Sequence, residues 1–182
     1  MKKILTLFTV ILFTTYPSFA QKYFTKTGII SFSAGTSLED IDAVNKSATS
    51  VMDAATGKIE FAVLIRGFEF KRALMQEHFN ENYMESSKYP KAVFKGTIVE
   101  PISFNKPGTY AATVKGILEM HGVKKETTAK GTIKVSAQSV QVLSRFSINT
   151  SDFKIAIPGI VKDKISQVVN VSVNCNYTPL NK

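Results

Sequence analysis

The chain has 182 residues, 44% hydrophobic and 20% charged, with a formal net charge of +9, one cysteine and no tryptophan. That composition excludes a disordered or collagen-like chain, and a lone cysteine excludes an intrachain disulfide framework, so stability must come from packing and backbone pairing. Basic residues stand singly among apolar ones, without a patch or a basic helix, which argues against nucleic acid as a partner and for solvated strand faces or an anionic envelope surface.

At the N-terminus, Lys2 and Lys3 precede an apolar run from Ile4 to Phe13, and Ser18 and Ala20 put small residues where a signal peptidase reads. This predicts a signal peptide over residues 1–20, a mature protein from about Gln21, and a periplasmic or secreted location. The run falls short of the ~20 residues that span a bilayer, and no cysteine near Ala20 offers a lipid anchor. Residues 21–182 suit a single domain. Removing Lys2 and Lys3 leaves 21 basic residues against 14 acidic ones, so this part is still basic.

Beyond Gln21 the apolar pattern has period two. Predicted strands run from Ile29 to Ala34, Ala48 to Asp53, Lys58 to Ile65, Lys91 to Val99, Tyr110 to Met120, Thr127 to Val135, Val140 to Ile148 and Ile165 to Tyr177. Short breaks such as Ala55-Thr56-Gly57, Asn105-Lys106-Pro107-Gly108 and His121-Gly122 carry turn residues and imply antiparallel neighbours. In the third run, Ile59, Phe61, Val63 and Ile65 share a face until Gly67, where the apolar parity switches to Phe68 and Phe70, as a bulge or sharp bend would cause. Between Lys71 and Tyr83, Leu74, Met75, His78, Phe79 and Tyr83 recur at helical spacing, and the predicted helical segment stops by Lys88-Tyr89-Pro90. Thr150 to Lys164 reads as a long, partly apolar loop.

The resulting fold class is all-β: an antiparallel barrel of about eight strands with one short helical segment near residues 71–84. A sandwich fits the pattern too, but apolar residues on both parities of Tyr110 to Met120 and Ile165 to Tyr177 favour the closed form.

The stretch from Ala73 to Ser86, then Lys88-Tyr89-Pro90-Lys91-Ala92 and Phe94-Lys95-Gly96, and the later Leu118-Glu119-Met120-His121-Gly122-Val123, resemble the YceI-like family. The resemblance covers essentially all of the chain after the leader and implies a lipocalin-like barrel that holds a polyisoprenoid, an isoprenoid quinone or another long amphiphile. Two departures stand out: the place before the helical segment where many relatives carry an Arg-Asp pair is apolar here, near Leu74-Met75, and the early histidine-containing strand is replaced by Ile29 to Ser37 and an acidic Glu39-Asp40-Ile41-Asp42.

The 13 Phe and 6 Tyr suit either an ordinary packed core or an apolar lumen. Read as a lumen, the candidates are Phe61, Val63, Ile65, Phe68, Phe70, Met75, Phe79, Tyr83, Phe94, Ile98, Met120, Phe146 and Ile148, with Arg66, Lys71 and Arg72 as candidates to meet a charged headgroup. No catalytic constellation, metal site or cofactor is expected: the two histidines, His78 and His121, sit in no recognisable motif, and Glu39, Asp40 and Asp42 lack the spacing of a calcium loop. The chain reads as a binding protein and not an enzyme, its alternative being an interaction module with a packed core. Peripheral membrane contact and a homodimer are left open. Cys175, in an apolar strand context, is expected to be a buried, inert thiol.

Overall fold

Alternation along the sequence becomes alternation between inside and outside in eight long strands. In the computed structural model, which describes residues 21–180, these are β1 (Lys22–Gly35), β2 (Asp42–Asp53), β3 (Lys58–Leu64), β5 (Lys91–Ile98), β6 (Gly108–Met120), β7 (Val123–Val135), β8 (Val140–Asn149) and β9 (Ile165–Pro179), with a two-residue β4 (Glu69–Phe70) laid against β2. The predicted leader, residues 1–20, lies outside the described residues. All pairings are antiparallel, in the order β1-β9-β8-β7-β6-β5-β3-β2, and β2 pairs with β1 to close the barrel. Closure leaves no long edge open.

The first two strands are longer than their periodicity suggested. In β1 the register with β2 shifts between Thr25 and Gly28 and again between Gly28 and Ile30, which breaks period two. The inward parity passes from Tyr23 and Thr25 to Gly28 and Ile30, which leaves Ile29 41% exposed. Gly28 is required by close approach: a Cβ there would come within 2.7 Å of the Cys175 sulfur.

The β6–β7 hairpin turns on His121 and Gly122, both with positive φ (52° and 73°), the geometry a two-residue hairpin prefers. The bend at Gly67 is a 3-10 turn over Ile65–Gly67, closed by the Phe68 amide donating to the Ile65 carbonyl. It leads through β4 into α1 (Ala73–His78), which widens into a π-helical turn at Phe79–Tyr83. The helical segment ends at Tyr83, within the span near residues 71–84 that the periodicity predicts. Glu85 takes a left-handed φ of 43°, and the Ser86 amide donates back to the Asn80 carbonyl, which closes the helix end.

One end of the barrel is solid. Tyr23, Met52, Ile59, Ile98, Ile133, Val140, Cys175 and Tyr177 form its core, none more than 7% exposed. A polar chain crosses it: the Tyr177 hydroxyl donates to Ser50 Oγ at 2.7 Å, which donates to the Glu60 carbonyl at 2.7 Å. At the other end, α1, the π turn and the segment from Thr150 to Lys164 fold over the strands. Fully buried Phe153 packs there with Ile65, Met84, Met120 and Ile155.

Candidate functional site

Between the solid end and this covering layer lies a cavity of about 400 Å³, walled almost entirely by aliphatic and aromatic side chains. Its origin is visible in the burial pattern. Phe61, Phe94, Val114, Leu118, Phe146, Ile148, Val171 and Val173 all line it, yet none is fully buried. Inward-facing residues of a packed core have no such exposed surface. Ile59 and Val142, shared with the solid end, form the floor.

Four phenylalanines crowd one side. The Phe79 ring lies 5.4 Å from Phe32, 5.7 Å from Phe68 and 5.0 Å from Phe70, and Phe32 lies 5.2 Å from Phe68. The π-helical turn places Phe79 against strands β1 and β4. Tyr83 and Met75, from the same segment, also line the cavity, and burial pushes the Tyr83 hydroxyl above its ordinary pKa.

Of the sequence-derived lumen candidates, Phe61, Val63, Ile65, Phe68, Phe70, Met75, Phe79, Tyr83, Phe94, Met120, Phe146 and Ile148 all stand on the cavity wall. Ile98 does not: it ends β5 inside the solid core, packed with Ile59 and Ile133. Period two could not separate the open from the filled part of one inward face.

None of the three headgroup candidates lines the cavity itself. Arg66 points away from the cavity, its guanidinium donating to Ser86 Oγ at 3.3 Å and Ser87 Oγ at 2.7 Å. Lys71 and Arg72 flank a second depression, which shares Glu39 and Met75 with the main cavity and also holds Asp40 and Asp42, and Arg72 is ion-paired to Glu39. The polar residues that do reach the main cavity include Glu39, His78, Lys164 and Ser166, all near its mouth. Glu39 is held between Arg72 and Lys164, the latter at 3.8 Å.

The sequence reading also missed Phe32, Leu118, Ile155, Ile157, Val169 and Val171 as wall residues. Phe32 and Val171 have the right parity and pair across β1 and β9, but only the barrel closure shows that their face is open. His121, read as a turn residue, ties three segments together: Nδ1 donates to the Phe153 carbonyl at 3.0 Å, Nε2 lies 2.9 Å from Glu85 Oε2, and the Tyr89 ring packs 4.6 Å away.

The geometry can enclose one apolar chain. Among the described residues no group of three or more His, Cys, Asp or Glu could hold a metal ion, and no helix is long and apolar enough to cross a membrane. A family model described as YceI-like domain matches residues 22–177. Among solved structures, a polyisoprenoid binding domain from Saccharophagus degradans, implicated in plant cell wall breakdown, superposes with a TM-score of 0.73 at 13% identity, covering 87% of this chain and 98% of that one. BcnA of Burkholderia cenocepacia gives 0.69 at 14% identity, over 83% and 96% of the two chains. A YceI protein of Campylobacter jejuni gives 0.58 at 16% identity over the full length of both. At these identities the structural likeness establishes the barrel fold. No curated protein matches the sequence.

Proposed function

The chain belongs to the YceI-like family, and from that premise we propose that it is an exported carrier that takes one long apolar molecule, an isoprenoid or similar amphiphile, into the barrel. The observation that carries this reading is the cavity itself: about 400 Å³ enclosed by inward side chains that leave their apolar surface unpacked. That volume sits low in the range of roughly 300–1,000 Å³ typical of small-molecule sites. A long polyprenyl chain would fill it and leave its polar end at the mouth, beside Glu39, His78, Lys164 and Ser166.

Binding without turnover suits this wall. Glu39 is engaged by two cations, and His78 Nδ1 lies 3.0 Å from the Asn82 amide nitrogen. The polyisoprenoid-binding neighbour from S. degradans supports the ligand class. Export rests on the leader read from Lys2 to Ala20.

The test is a titration with geraniol, farnesol and geranylgeraniol. Each methylene buried should contribute about 0.8 kcal/mol, so affinity should climb steeply with each isoprene unit until the cavity is full. An affinity independent of chain length would overturn the carrier reading in favour of an interaction module.

A further inference from the structure

Three segments border the mouth of the cavity: the loop between β1 and β2, the start of α1, and the 3-10 turn at Gly159–Val161 with the residues leading into β9. They are fastened to one another. Arg72 and Lys164 both reach Glu39, and the Thr36 hydroxyl donates to the Asp163 carbonyl at 2.6 Å. Each segment also exposes one large aliphatic side chain that does not line the cavity: Leu38 is 71% exposed, Leu74 62% and Ile160 94%. The turn that presents Ile160 is closed by the Val161 amide donating to the Pro158 carbonyl, and Val161 itself reaches the cavity wall. Adjacent residues of one turn thus serve the interior and the outer rim.

Rim charges are balanced. Lys71 and Lys162 stand against Asp40, Asp42 and Asp163, while Glu39 is already neutralised by Arg72 and Lys164. Such a rim neither attracts nor repels an anionic partner strongly. What it offers is three apolar tips on separate loops around an apolar opening.

We propose that the mouth docks on a lipid bilayer, with Leu38, Leu74 and Ile160 inserted at the interface so that the cavity opens directly onto the acyl chains. A protein partner would need roughly 1,200–2,000 Å² of complementary surface; isolated tips on separate loops do not make one, whereas a fluid interface closes around them. Entry from the membrane also spares a long apolar ligand passage through water. The proposal rests on the carrier reading and adds where the ligand comes from.

The experiment uses phosphatidylcholine vesicles loaded with geranylgeraniol, and compares the protein with a triple variant, Leu38→Ser, Leu74→Ser and Ile160→Ser. Leu64→Ser, at an outward-facing strand residue 61% exposed and not part of the cavity lining, is the control. The triple variant should bind geranylgeraniol delivered from cyclodextrin with unchanged affinity but extract it from vesicles at least about tenfold more slowly. The control should extract normally, and anionic lipid or added salt should alter the unmodified protein's rate by less than about threefold. Unchanged extraction by the triple variant, an equal loss in Leu64→Ser, or a requirement for anionic lipid overturns membrane docking. Failure of the unmodified protein to bind cyclodextrin-delivered ligand overturns the carrier reading itself.

Discussion

The side-chain amide of Asn45 donates to the Leu64 carbonyl at 2.9 Å, from a side chain with no exposed surface. Its oxygen accepts from the Ser47 amide and hydroxyl at 2.8 and 3.1 Å. The bond secures the end of β3 just before the chain bends toward α1, and it is possible only because residue 67 has no side chain: a Cβ there would come within 2.7 Å of the Asn45 nitrogen.

Asn45→Ala should therefore lower stability by about 2–3 kcal/mol, since it removes a fully buried amide together with the three hydrogen bonds it makes. Gly67→Ala should cost about 1–3 kcal/mol by displacing the same amide. Urea denaturation of both single variants and the double variant measures this, and the two losses should be far from additive because they act on one bond.

Phenylalanines on the cavity wall should matter less to stability than one in the covering layer. Phe153, 1% exposed and packed on all sides, should cost about 3–5 kcal/mol on replacement by alanine. Phe61 and Phe94, 6.5 Å apart and facing the cavity, should each cost only about 1–2 kcal/mol, because no close-packed hole is created. Their loss should instead weaken isoprenoid binding. Equal destabilisation at all three positions in denaturant melts would mean that the lumen is packed after all.

The contact between His121 and Glu85 joins the β6–β7 hairpin to the end of the helical segment, with the Phe153 carbonyl as the third point. A double-mutant cycle with His121→Ala and Glu85→Ala should give a coupling of about 0.5–1.5 kcal/mol. Glu85→Gly should be less damaging than Glu85→Ala by about 1 kcal/mol, because glycine adopts the left-handed backbone of this position without the Cβ penalty. Thermal unfolding of the unmodified protein, the three cycle variants and Glu85→Gly distinguishes these effects.

In the solid end, burial pushes the Cys175 thiol up to about 11 and the Tyr177 hydroxyl further above its ordinary range. Both groups are neutral in the fold. Their contribution is fully present below the unfolded thiol pKa near 9 and is lost as pH rises through 11, on the order of 2–3 kcal/mol for the thiol. Stability should fall between pH 9 and 11, less steeply in Cys175→Ala. At pH 8 a maleimide should label Cys175 only after denaturant is added, and fast labelling of the folded protein would contradict its burial.

The strands were legible in the sequence because a half-buried strand writes its orientation residue by residue: Ile59, Phe61 and Val63 fall on one side of β3, with Glu60 and Leu64 outward. The bend at Gly67 was legible as a change of parity, and the short helix as a change of period. What the pattern could not carry was depth along the barrel. Ile98 and Phe94 share a face of β5, yet one is sealed in the solid end and the other borders open space, because that difference depends on which strands close around them and how far the end cores extend. Charge partners were equally hidden. Arg66, Lys71 and Arg72 are close in sequence to the cavity wall, but the bend turns Arg66 toward Ser86 and Ser87, and Glu39 claims Arg72 from a loop 33 residues away. Local alternation selects inside from outside, whereas the meeting of distant loops at the mouth is a property of closure, which no local pattern encodes.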